Sequence, residues 1–78
     1  MPHISLKMLK GRTEEQKKRA AAALTEALKQ SLGASDAHIS VSVEDYTALE
    51  WQEVFKREIT DKPDKIYKKP RYDPKDLL

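Results

Sequence analysis

From Pro2 to Leu9 the apolar side chains Pro2, Ile4, Leu6 and Met8 occupy the even positions and alternate with His3, Ser5 and Lys7. A period of two is that of a strand with one buried face. Lys10-Gly11-Arg12 then turns the chain, and Thr13 with Gln16 three residues on is a capping box that predicts a helix from about Glu14. Ala20, Leu24, Ala27, Leu28, Ser31 and Leu32 share one face of that helix, while Glu14, Lys18, Glu26 and Lys29 stay polar, so it should run to about Leu32 with Gly33 as its stop. Ile39, Val41 and Val43 alternate with His38, Ser40 and Ser42, the pattern of a second strand that His38 begins. Thr47 and Glu50 repeat the capping box and open a shorter helix with the stripe Trp51, Val54, Phe55 and Ile59. Past Thr60, the prolines at 63, 70 and 74 forbid regular helix, and the Lys65–Lys69 run admits at most an edge strand or hairpin arm.

Strand, long helix, strand is a β-α-β unit, so the fold class is α/β with two parallel main strands, a right-handed crossover, a second short helix and an irregular or hairpin-like tail. The expected organisation is one domain over residues 1–78, with 62–78 a proline-containing basic tail. Two strands and one long helix leave sheet edges unpaired and apolar stripes uncovered. A chain of 78 residues with no Cys has no covalent staple to compensate. Pairing two copies into a four-stranded sheet would cover both edges and stripes, so a homo-oligomer is expected.

Composition narrows the function classes. No apolar run approaches the roughly 20 residues of a bilayer span, and the opening residues lack a signal peptide's apolar core, so the expected location is cytoplasmic. The two His have too few carboxylates nearby for a metal signature. Fifteen Lys and Arg against 13 Asp and Glu give a net charge of +2, a weak argument for a polyanionic partner. Lys62, Lys65, Lys68, Lys69, Arg71 and Lys75 do gather late, and such a run could track phosphates. No recognition helix or zinc finger accompanies them, and Tyr67 and Tyr72 alone make no stacking platform, so a solvated tail or an edge covering is preferred and nucleic acid is an unlikely partner.

No Ser/His/Asp constellation, glycine-rich phosphate loop or carboxylate pair can be assembled. What remains is Pro2. A Met-Pro start ordinarily carries no function, but removal of Met1 would free a secondary amine. An α-amino group titrates near pH 7.7–8 when unperturbed, and burial or a neighbouring cation lowers it further, which yields a usable general base near neutrality.

The run PHISLK, then LKGRTEEQKKRAAAALTEALKQSLG, then HISVSVED resembles the 4-oxalocrotonate tautomerase family, whose members work through an amino-terminal proline. The resemblance covers roughly residues 2–45, and LEWQEVF at 49–55 with KKPxY at Lys68–Tyr72 is similar to the PptA-type branch of short tautomerases. It implies a cofactor-independent isomerase that moves a proton between oxygen and carbon of an enol or 2-keto acid, with Pro2 as both base and conjugate acid. It also implies that Arg12, otherwise an ordinary turn residue, holds a substrate carboxylate with its planar fork. Ser40 aligns where dicarboxylate-handling relatives place a second arginine. A neutral hydroxyl cannot balance a second carboxylate, so the implied substrate is a monocarboxylate, with room for an aryl group. Trp51 falls where a hydrophobic wall is expected; a stacking surface and a core position are both open to it. Alternation turns the His3 side chain away from the Pro2 face, and structural or solvent roles are expected for His3 and His38; Phe55 reads as core or interface. A dimer is favoured over the family's hexamer because the basic tail would bring like charges together in the stacking of dimers. Two other readings remain: a non-catalytic interaction module on the same scaffold, and a nucleic-acid-binding module using the basic tail.

Overall fold

The computed structural model describes all 78 residues. They form two compact units, Met1–Asp45 and Tyr46–Leu78.

The first unit is strand β1 (His3–Leu9), helix α1 (Glu14–Leu32), one 3-10 turn (Asp36–His38) and strand β2 (Ser40–Tyr46), whose last residue opens the second unit. β1 and β2 make a two-stranded sheet. His3 lies beside Ser40 and Lys7 beside Glu44, so numbers rise together along both strands and the pairing is parallel. α1 starts where the capping box places it: Thr13 Oγ1 accepts from the Gln16 amide at 3.1 Å, and Gln16 Oε1 accepts from the Thr13 amide at 2.9 Å. It ends at Gly33, which adopts φ 68° and ψ 21° and donates its N–H to the Lys29 carbonyl, the left-handed stop that glycine takes without a Cβ penalty.

Faces sort by period. Ile4, Leu6, Met8, Val41 and Val43 are half-buried, and Asp45 on the same face of β2 as Val41 and Val43 meets Lys17 of α1, so α1 covers that side. His3, Ser5 and Lys7 with Ser40, Ser42 and Glu44 form the opposite, polar side. On α1 the half-buried face is Lys17, Ala20, Ala21, Leu24, Thr25, Leu28 and Lys29. Ala27, Ser31 and Leu32, expected on that face, are exposed, Leu32 at 67% as the last residue of the helix. β2 also differs from expectation. His38 closes a 3-10 turn instead of beginning the strand, since its amide is taken by the Ser35 carbonyl. The strand continues through Glu44 and Asp45, whose carboxylates are held by Lys7 and Lys17.

The second unit begins with α2 (Ala48–Phe55), capped by Thr47 and Glu50 in the same reciprocal way. It passes into a π-helical turn at Lys56–Thr60 and then two 3-10 turns, Pro63–Lys65 and Pro74–Leu77. No third strand forms, so the Lys65–Lys69 run is neither edge strand nor hairpin arm. α2 packs on the C-terminal turn, and Gln52 Nε2 donates to the Pro74 carbonyl at 2.8 Å. Val54 at 3% exposure is the buried apolar side chain of the chain.

Candidate active site

The entry ends of the two strands bring Pro2, His3 and Ser40 together. The Ser40 amide donates to the Pro2 carbonyl at 3.3 Å, which pins the residue that carries the candidate nitrogen. One position on, His3 Nδ1 lies 2.7 Å from Ser40 Oγ. Pro2 is half-buried, whereas Met1 is 93% exposed and packs on little. Alternation sets the Pro2 and His3 side chains on opposite faces, but the proline nitrogen is a main-chain atom at the strand's end.

Arg12 lies elsewhere. Gly11, at φ 133°, makes the turn after β1, a conformation that side chains with a Cβ rarely take, and Arg12 follows it exposed. The seven residues of β1 intervene, and at about 3.3 Å each they place Arg12 roughly 20 Å from Pro2. One copy of the chain therefore does not bring amine and guanidinium onto the same small acid.

Trp51 belongs to the second unit, on the first full turn of α2. It is half-buried beside Tyr46, with ring centroids 6.3 Å apart, and its Nε1 donates to Tyr72 Oη at 2.9 Å. Phe55 meets Tyr72 edge-on at 5.6 Å. These contacts make Trp51 part of an aromatic cluster whose polar edge is already satisfied. Tyr72 is the partner that pattern reading missed; its only signal was the KKPxY match, because a residue 21 positions from Trp51 leaves no periodic trace.

The ion pair between α1 and β2 is structural. Lys17 Nζ meets Asp45 Oδ2 at 2.5 Å and Glu14 at 3.6 Å. The Asp45 hydrogen bond raises the Lys17 ammonium above its ordinary value, with the charges of Asp45 and Glu14 adding to it against partial desolvation. No cluster of three or more His, Asp or Glu side chains is placed to hold a metal ion. No helix is long and apolar enough to cross a membrane.

The β-α-β unit is shared with solved tautomerases. The chain superposes on YwhB, a homologue of 4-oxalocrotonate tautomerase, with a TM-score of 0.59 and 42% identity, covering 60% of this chain and 77% of that one. The family model for tautomerase enzymes matches residues 2–53, and the chain belongs to that family of keto–enol isomerases. Tautomerase PptA of Escherichia coli O127:H6 is 34% identical over 73 residues, 92% of this chain and 97% of its own. The 2-hydroxymuconate tautomerase of Bacillus subtilis strain 168 is 47% identical over 45 residues, 58% of this chain and 73% of its own.

Proposed function

We propose that the processed chain interconverts enol and keto forms of a 2-keto acid bearing one carboxylate, with the Pro2 amine as general base and then general acid. The observation that carries this is the position of Pro2: the family match begins on it, and its carbonyl is held by the Ser40 amide. Met1, almost wholly exposed, can leave without breaking a packed contact. The freed nitrogen would take the enol hydroxyl proton and return one to carbon, so a single group serves both half-steps and no cofactor is required.

In this reading Arg12 clamps the carboxylate and Ser40 faces the substrate beside Pro2; the role kept for Trp51, on the second unit, is that of an apolar wall for an aryl group. Because Arg12 stands roughly 20 Å along β1 from Pro2, the clamp for one amine comes from a neighbouring copy. A homo-oligomer, with the dimer favoured over the hexamer, also covers the strand edges and the half-buried helix face. The span of the PptA likeness, 92% of the chain, supports treating 1–78 as one tautomerase domain. The reading includes a cytoplasmic location, in keeping with a chain that has no Cys.

The test is an ultraviolet or proton-NMR assay across a panel of enolised 2-keto acids, with intact-mass analysis of the amino terminus beside each rate. Pro2→Ala keeps an amine but loses the ring that fixes it, and is expected to lower kcat/KM by roughly 10²–10⁴-fold; protein retaining Met1 should fall at least as far. Full activity in either form refutes the mechanism. Sedimentation at micromolar concentration reads the assembly, and a stable folded monomer refutes the shared site.

A further inference from the structure

Ser40 has a second relationship that its place in the sheet creates. Its Oγ lies 2.7 Å from His3 Nδ1, while its amide is committed to the Pro2 carbonyl. A hydroxyl has one proton to give. When the imidazole is neutral, Nδ1 can accept that proton, and Ser40 then presents only lone pairs outward, a poor surface for a carboxylate. When the imidazole is charged both ring nitrogens carry hydrogen, Nδ1 must donate, and the Ser40 O–H is released to donate elsewhere.

We propose that His3 is a positioning residue whose protonation state decides whether Ser40 acts as a hydrogen-bond donor to the substrate carboxylate, so that acid conditions strengthen carboxylate binding through the hydroxyl. This rests on the reading of Ser40 as a substrate-facing residue.

Other charges bear on the imidazole and define the controls. Along the polar face of the sheet they are Lys7 of β1 and Glu44 of β2, which form an ion pair at 3.6 Å, with Ser5 held between them at 2.6 Å from Lys7 and 3.5 Å from Glu44. His38 precedes β2, and the amine at the chain's start precedes His3. From α1, Lys17 is directed to Asp45 on the opposite face. The amine is the main confounder, because its protonation also attracts an anion.

The experiment titrates the full, Met1-processed protein with 3-phenylpropanoate, an aryl monocarboxylate with no keto group to enolise, at about pH 5 and 8. The neutral 3-phenylpropanamide is the control. Wild type, His3→Gln, Ser40→Ala, Ser40→Thr and the His3→Gln/Ser40→Ala double variant are compared by calorimetry. Acidification should tighten the acid by about tenfold to a hundredfold more in wild type than in His3→Gln, the range of one hydrogen bond to a charged group. That difference should vanish in the Ser40→Ala background, return in Ser40→Thr, and be absent for the amide. Equal pH dependence of wild type and His3→Gln overturns the proposal. So does a His3-dependent part that survives Ser40→Ala, which would assign the effect to direct charge. If Ser40→Ala leaves acid binding unchanged at both pH values, Ser40 does not face the substrate, and the proposal falls with that assignment. Enol–keto turnover measured on the same wild-type sample separates the two failures: turnover without a His3 effect overturns the relay alone, and its absence overturns the catalytic reading.

Discussion

Val54→Ala tests the packing of α2, because Val54 on that helix is only 3% exposed. Removing two methyl groups forfeits about 1.6 kcal/mol of transfer free energy at about 0.8 each, and incomplete collapse of the small void brings the expected loss to about 2–2.5 kcal/mol. A domain of this length has roughly 4–12 kcal/mol in total, so the variant folds but is visibly weaker. Trp51, the single tryptophan, sits one turn before Val54 and reports this helix by fluorescence. With a urea slope near 1 kcal/mol/M, the midpoint should move down by about 2 M with the slope unchanged. Protein concentration must be held fixed, since assembly contributes to apparent stability. Leu49→Ala, on the same helix but 74% exposed, is the control and should stay within about 0.5 kcal/mol of wild type. A Val54→Ala loss no larger than that of Leu49→Ala would refute the packing described for α2.

Arg12→Ala should raise KM for 2-keto acids while leaving a ketone without a carboxylate little affected; equal loss on both would make Arg12 a fold residue. Thr13→Ala removes one arm of the α1 capping box and should cost about 1 kcal/mol by thermal or urea unfolding, with Gln16→Ala non-additive to it because the two arms share one turn. For Lys17, the folded-state ammonium is raised above its ordinary value of 10.5. Its stabilisation is therefore present below that value and lost as pH rises through the folded one. The melting-temperature advantage of wild type over Lys17→Met should hold at neutral pH and fade in strongly alkaline solution; an advantage constant through that range would place the effect in packing.

The sequence by itself determined the elements whose rules are local. Each capping box closes within four residues, Thr13 to Gln16 and Thr47 to Glu50, and Gly33 stops α1 by its own conformational freedom, so the starts of both helices and the end of α1 were legible. Alternation gave β1 and the body of β2, and the amino-terminal run carried the family likeness that points to Pro2. Tertiary structure decided what depends on strand register and on chain folded back from a distance. β2 reaches Tyr46, with Lys7 and Lys17 pairing the Glu44 and Asp45 carboxylates near its end. His3 meets Ser40 across 37 positions, and Trp51 meets Tyr72 across 21; neither spacing leaves a pattern in a linear reading, since only parallel pairing and the returning tail bring them together. The separation of Arg12 from Pro2 has the same origin: ten positions apart, they lie toward opposite ends of an extended strand, and a strand's rise per residue, not closeness in sequence, sets which groups can reach one substrate.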